Sequence, residues 1–581
     1  MQRSAPKFKA RIDSLLAQIY PEADQAELRQ HIIEAFWPEG SSTRARARPA
    51  GNNLWDETDT IVITYGNTIV DGVHKPLDLL RHFLEENLSG AISGVHILPF
   101  FPFTSDDGFA VTDYRAVNSA LGSWADISRI ADEFKLMSDL VLNHVSSFST
   151  WFQEYRQGHP PFDRFFFEAS PEDDLSSVVR PRTSPLLREV DTAMGKKYVW
   201  CTFSHDQVDL DFSNPEVLLE FLRVIRLHVD HGVRIIRLDA VAFIWKEIGT
   251  NCIHRPQTHA IVRLIRLLFD YASERLVLLT ETNVPNAENL SYFGNMNEAH
   301  SIYNFSLPPL ILHALLNGTA SELNRWQMAM PPAQMGCAYF NFTASHDGIG
   351  MRPVEGLLSE EETGALVESV RNFGGLVSMR SMPDGSQRPY ELNITWYDAM
   401  QGTVEGPDEW QHERFLCSQT IVMALEGLPA FYIHALLGTP NDHDGVAKTG
   451  INRAINRHRW DYDALRAALS DPTSRQSRAL SDMKARIGIR VKQKAFHPNA
   501  TQFTLHLGDE LFGFWRQSLD RAQSIFAIHN VTDREVTLPS VSINLIGGAD
   551  WIDLISGDRI ATSGGDITFA PYQCRWISNR A

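Results

Sequence analysis

From Thr60 onward, short apolar runs alternate with stretches whose apolar residues recur at helical spacing. The runs are TIVITYG, HILPFFP, MSDLVLNH, GVRIIRLDA, RLVLLTE, HSIYNF, AYFNFTASHD and LPAFYIHA. These runs read as strands, and helical segments between them make βαβ units. Eight such units predict an α/β fold, a closed (β/α)8 TIM barrel rather than an open sheet. A doubly wound sheet would also carry a Gly-rich phosphate loop after its first strand, and none follows TIVITYG.

The same patterning divides the rest of the chain. Residues 7–37 place Ile12, Leu15, Leu16 and Ile19, then Leu28, Ile32, Ile33 and Phe36, at helical spacing on either side of Pro21, which predicts a helical hairpin. Residues 38–54 mix Gly, Ser, Arg and Pro and read as a linker, so 1–57 form an N-terminal extension. The catalytic barrel is expected over 58–146 and 212–486. Residues 147–211 exceed a normal βα connection and predict a small inserted domain over the active site after strand 3; 348–413 form a second long excursion after strand 7. From 487 to 581 an alternation of period two, as in TQFTLHLG and SIFAIHN, predicts a C-terminal antiparallel β-domain.

Composition narrows the function classes. The 581 residues carry 53 Lys and Arg against 71 Asp and Glu, a net charge of −18 that disfavours nucleic acid and anionic lipid as partners. Five scattered Cys with no CxxC pair predict reduced thiols and a cytoplasmic location. The N-terminus shows no apolar core followed by a small-residue cleavage site, and apolar stretches such as ILPFFPF are too short for a membrane span.

Candidate chemistry sits at the ends of the apolar runs. Asp139, Asp239, Glu281 and Asp347 each close or follow one. In a TIM barrel, catalytic groups project from the C-terminal ends of several strands. Paired carboxylates in such a cleft suit cleavage of a glycosidic bond, with one as nucleophile and the other as acid and then base, about 5 to 5.5 Å apart in a retaining enzyme. Arg237, two residues before Asp239, shares its face of the strand and is expected to keep it ionised, whereas Glu281 has no cation near it in sequence. Asp139 reads as a buried supporting carboxylate.

The blocks LPFFPF with SDDGFAVTDY, DLVLNH, VRIIRLDAV, TET and TASHDGIG, in that order over roughly residues 58–480, resemble those of the α-amylase superfamily, glycoside hydrolase family 13. RPR followed by QVDLD, SLPPLILHAL, HDGIG and NRAINRH is similar to its sucrose phosphorylase branch. The resemblance implies Asp239 as nucleophile, Glu281 as acid and base, and Asp347 as stabiliser of oxocarbenium character. It implies further that His144 and His346 hydrogen-bond glucosyl hydroxyls, that Asp106 and Arg453 close the pocket at the 4-hydroxyl, and that Phe109, Phe203 and Gln207 form its walls. Arg182 and Tyr390 match residues on two loops that bind phosphate in this branch, a task suited to an Arg fork.

Departures from the branch pattern gather on the acceptor side. Asn283 stands where His is usual, Glu391 where Gln is usual and Phe243 where Tyr is usual, with Gln387, Arg388 and Pro389 at a loop tip. Asn283 and Glu391 are therefore expected to contact the acceptor. The runs ETNVPNAENLSYFG and PYELN resemble the sub-branch that phosphorolyses glucosylglycerol or glucosylglycerate. A glycerate carboxylate would call for a cation, for which Arg388, Arg188, Lys196 and Lys197 are candidates. Glu189 and Asp191 in the loop after RPR favour a neutral acceptor. The expected activity is thus retaining phosphorolysis of 2-O-α-glucosylglycerol to α-glucose 1-phosphate. The alternatives are glucosylglycerate, then sucrose or sucrose 6-phosphate, as substrate, then hydrolysis or transglucosylation, and outside catalysis an inactive sugar-binding barrel. No cofactor or catalytic metal is expected. Asn143 sits where amylase relatives bind Ca²⁺, but the six to eight oxygens that this ion takes cannot be assembled from the sequence. The partners expected are an α-glucoside and inorganic phosphate, with the chain a monomer or homodimer.

Overall fold

A computed structural model describes residues 5–39, 46, 51, 53–181, 184–381, 386–543, 545, 550–561 and 565–580. Eight strands run parallel around a closed barrel: β1 (Ile61–Thr64), β2 (Gly94–Ile97), β3 (Lys135–Val141), β4 (Val233–Asp239), β5 (Val277–Thr280), β6 (Ser301–Tyr303), β7 (Ala338–Asn341) and β8 (Leu428–Tyr432). Each pairs with its successor and β8 returns to β1. Every expected strand segment is present. They read clearly in sequence because the barrel buries both faces of a strand, which turns alternation into continuous apolar runs; all four residues of β1, β2, β5 and β7 are buried.

The outer helices present one apolar face to the barrel. Pro215–Asp230 is an example: the Asn214 side chain accepts from the Glu216 N–H at 3.1 Å, Pro215 occupies the first turn, and Phe221, Leu222 and Ile225 are buried. At the N-terminus, helices Ala5–Ile19 and Gln25–Phe36 form the expected hairpin and lie on barrel helices, with Phe8 against Tyr271 and the Tyr20 hydroxyl donating to the Phe212 carbonyl. Most of the linker expected at 38–54 lies outside the described residues.

Two excursions rise from the strand ends that carry the acids. After β3, His144–Ser146 pairs antiparallel with Gln207–Asp209, and between them lie a helix (Thr150–Gln157) and a hairpin of Leu187–Thr192 with Gly195–Trp200. After β7, Ile349–Gly350, Gln387–Asn393 and Leu376–Ser381 form a three-stranded antiparallel sheet with Gln387–Asn393 in the centre. The C-terminal residues build a six-stranded antiparallel sheet and a smaller two-stranded one.

Candidate active site

Strand register sets the floor of the site. Asp139 on β3 lies level with Arg237 on β4, and Val141 with Asp239. The Arg237 guanidinium donates to Asp239 Oδ1 at 2.6 Å and also to Asp139, whose other oxygen meets His96 Nε2 at 2.7 Å. This buried relay of His96, Asp139, Arg237 and Asp239 crosses three strands. Burial works to raise the Asp139 carboxyl, but His96 and Arg237 outweigh it and bring its pKa down to about 2. Asp139 is therefore an anchor for Arg237, in keeping with the supporting role read from its position.

Above that floor the chain turns sharply. Ala240, directly after Asp239, has φ 53°, a left-handed conformation uncommon for a residue with a side chain, and its N–H donates to Glu281 Oε2 at 3.3 Å. Glu281 follows β5, with its own N–H bonded to the Leu238 carbonyl. Burial raises both carboxyls, and each acidic neighbour adds to the effect: Glu281 on Asp239, Asp347 on Glu281. Of the two, only Asp239 has a direct guanidinium bond, which works against the rise from burial and favours the negative charge there.

Asp347 is the opposite case. Burial opposes its charge, but Arg453 Nη1 at 2.6 Å, His346 and Arg457 hold its carboxyl well below the usual range. Arg453 also grips Glu391 in a two-bond fork of 2.9 and 2.8 Å. His346 stacks on Phe109 at 5.0 Å, and Gln207 Nε2 donates to both Asp106 and His144 at 3.1 Å. Burial lowers His144 to a pKa of about 4 and His346 to about 3, so both rings are neutral at pH 7. Asp106 reaches this wall because the SDDG turn takes left-handed φ at Asp106, Asp107 and Gly108; a Cβ on Gly108 would lie 2.9 Å from the Pro99 carbonyl oxygen.

These groups surround one cleft. It is lined by the three acids Asp239, Glu281 and Asp347 and by Asp106, Phe109, His144, Phe203, Gln207, Asn283, His346, Tyr390 and Arg453. Two expected site residues do not line the cleft, and a third is not among the described residues. Arg237 lies beneath the cleft, bonded to Asp239. Glu391, expected to contact the acceptor, is 2% exposed behind Arg453 with both oxygens engaged, since the central strand Gln387–Asn393 turns it inward. Arg182 lies outside the described residues.

None of the cations named for an acceptor carboxylate lines the cleft either. Lys196 pairs with Glu189, Lys197 with Glu168, Arg388 with Glu360, and Arg188 donates to the His205 carbonyl. Glu189, offered as a reason for a neutral acceptor, is held by Lys196 and the Tyr198 hydroxyl across the hairpin. Sequence reasoning missed Arg352, which does line the cleft. It follows the HDGIG run by two residues, so the signal was a cation close behind a strand-end acid.

At Asn143 a lysine occupies the polar cluster. Lys246 Nζ donates to Asn143 Oδ1 at 2.7 Å and meets Asp209 Oδ2 at 2.9 Å, filling with an ammonium the space between the oxygens. Among the described residues no group of three or more His, Cys, Asp or Glu is placed to hold a metal, and no helix is long and apolar enough to cross a membrane.

The Arg453–Glu391 fork allows one test. Glu391→Ala leaves a buried guanidinium with a single carboxylate partner, and loss of one member of such a pair costs about 3 kcal/mol. The expected result is a lower denaturation midpoint together with a raised KM for the glucoside. An unchanged midpoint and KM would show that Asp347 alone holds Arg453.

The alpha amylase catalytic domain model matches residues 71–348. The chain is 43% identical over 580 residues to the glucosylglycerate phosphorylase of Allomeiothermus silvanus, covering 99% of this chain and 100% of that one. It is 30% identical over 431 residues to the glucosylglycerol phosphorylase of Marinobacter adhaerens, covering 72% and 85%. Among solved structures, the sucrose 6F-phosphate phosphorylase from Thermoanaerobacter thermosaccharolyticum superposes with a TM-score of 0.72 at 24% identity, covering 88% and 98%, a likeness of fold.

Proposed function

The chain belongs to the alpha-amylase family, in its branch of glycosyltransferase-type phosphorylases, and from that membership we propose that it carries out the reversible, configuration-retaining phosphorolysis of an α-glucosylglycerate. The observation that carries the acceptor assignment is the 43% identity to a glucosylglycerate phosphorylase along the whole chain, against 30% over a shorter span to the glucosylglycerol enzyme. The sequence-based preference for glucosylglycerol gives way accordingly: of the two acidic side chains behind it, Glu189 is neutralised within its own hairpin and Asp191 stands opposite Lys196 across it.

The mechanism follows from the charges. The glucosyl unit sits at the closed end of the cleft, among Asp106, His144, His346, Arg453 and the Phe109 ring. Asp239, ionised by Arg237, attacks C1 from the β face while Glu281 gives its proton to the departing glycerate oxygen, breaking the C1–O bond. Asp347, held charged by Arg453, stabilises the oxocarbenium character between the two states. Phosphate then enters, a phosphate oxygen attacks C1, its proton passes to Glu281, and the Asp239 ester bond breaks to give α-glucose 1-phosphate. Neutral His144 and His346 can both donate to and accept from sugar hydroxyls.

The reverse reaction tests the assignment. With α-glucose 1-phosphate as donor and glycerate, glycerol, fructose or fructose 6-phosphate as acceptor, phosphate release is expected to be fastest with glycerate. Preference for glycerol would return the acceptor to the sequence-based reading. Release of free glucose as the main product, independent of acceptor, would instead mark a hydrolase.

A further inference from the structure

Among the described residues two arginines line the cleft, and they differ in one respect. Arg453 is bound to two carboxylates, Asp347 and Glu391. Arg352 makes no side-chain hydrogen bond or ion pair among the described residues, and its Nε is buried without a partner. A guanidinium carries five donors and stays charged, so one left unpaired in a cleft is a receptor for an anion.

Its location gives the anion. Arg352 begins the short 3-10 turn Arg352–Val354, just past the strand Ile349–Gly350. The Met351 N–H bonds the Tyr390 carbonyl, and a Cβ on Gly350 would stand 3.0 Å from Asn283 Nδ2, so the turn is fixed between Tyr390 and the segment that follows Glu281. His254, lowered by burial against the raising effect of Glu288, is lowered further by the charges of His259 and Arg352, and its ring is occupied with Tyr292 and Glu288. Arg352 thus lines the same cleft as Glu281, two residues past the Gly350 backbone that abuts Asn283.

We propose that Arg352 is the anion anchor of the acceptor site and that it serves two anions in turn: the glycerate carboxylate before the C1–O bond breaks, and the incoming phosphate afterwards. The proposal rests on the reading of the enzyme as a glucosylglycerate phosphorylase. In that reaction the first product must vacate the position that phosphate takes, and both are anions. One guanidinium suits both, because carboxylate and phosphate each accept its two-bond fork. A neutral acceptor such as glycerol would leave Arg352 unpaired in the first half of the cycle, which supplies discrimination against it.

The test uses α-glucosyl fluoride as donor, so that the glucosyl–enzyme forms with neither glycerate nor phosphate as leaving group. Transfer to glycerate, glycerol and phosphate is measured for the wild type, Arg352→Gln and Arg352→Lys, each rate divided by that variant's fluoride release. In Arg352→Gln the glycerate-to-glycerol ratio and the phosphate-to-glycerol ratio are both expected to fall by about 10- to 100-fold, the worth of a charge-assisted bond. Arg352→Lys, a point charge without the fork, is expected to fall between. Ratios unchanged in both variants overturn the proposal, and a loss for glycerate alone overturns the shared anchor. A wild type that itself prefers glycerol refutes the acceptor reading, and in that case the phosphate ratio still decides whether Arg352 holds an anion.

Discussion

Asp239→Asn is expected to lower kcat/KM for phosphorolysis on the order of 10⁴-fold or more, the scale on which enzymes lose rate when a covalent nucleophile is removed. The loss comes from charge and not from shape. Asn keeps the volume of Asp and can still meet the Arg237 guanidinium, and Arg237 retains its bond to Asp139, so the relay of His96, Asp139 and Arg237 stays in place. What disappears is the anionic oxygen that bonds to C1. The variant should therefore fold with an unchanged denaturation profile and give no glucosyl–protein adduct by mass spectrometry under conditions where the wild type accumulates one from α-glucosyl fluoride. Turnover within tenfold of the wild type would mean that another group, or phosphate attacking directly, does the displacement.

The barrel was legible in sequence because burial on both faces writes each strand as a plain apolar run, and its catalytic candidates were legible because strand ends are where the fold shows acids to the cleft. What depends on register was hidden. The bond between Arg237 and Asp239 follows from spacing along one strand, but its continuation to Asp139 and His96 needs β2, β3 and β4 side by side at the observed level. The fork between Arg453 and Glu391 joins a short turn to the middle strand of an antiparallel sheet, and no local pattern announces it.

Charges were the least readable feature for a related reason. Glu189, Lys196 and Lys197 stand close together in sequence as free charges, yet the hairpin pairs Glu189 with Lys196 across its strands, and Lys197 is taken by Glu168 from outside it. Arg352 differs only in lacking such a partner among the described residues. That property belongs to the folded cleft and could not be seen from the residue type.

Glu281→Gln separates the two halves of the proposed chemistry. Glycerate is a poor leaving group and needs the Glu281 proton, so the variant is expected to lose about 10³-fold in kcat/KM with the natural glucoside. Fluoride leaves without a proton, so formation of the glucosyl–enzyme from α-glucosyl fluoride should fall far less. The pH dependence carries the same distinction with a definite sign. Burial raises the Glu281 carboxyl, and Asp347 adds to the rise, against the lowering by Arg237. A general acid works only while protonated, so wild-type phosphorolysis is lost as pH climbs through that raised pKa. With glucosyl fluoride in single turnover this basic limb should vanish, and in Glu281→Gln it should be missing for both donors. A basic limb of equal position with both donors in the wild type would assign it to some other group, and the acid role would then pass from Glu281.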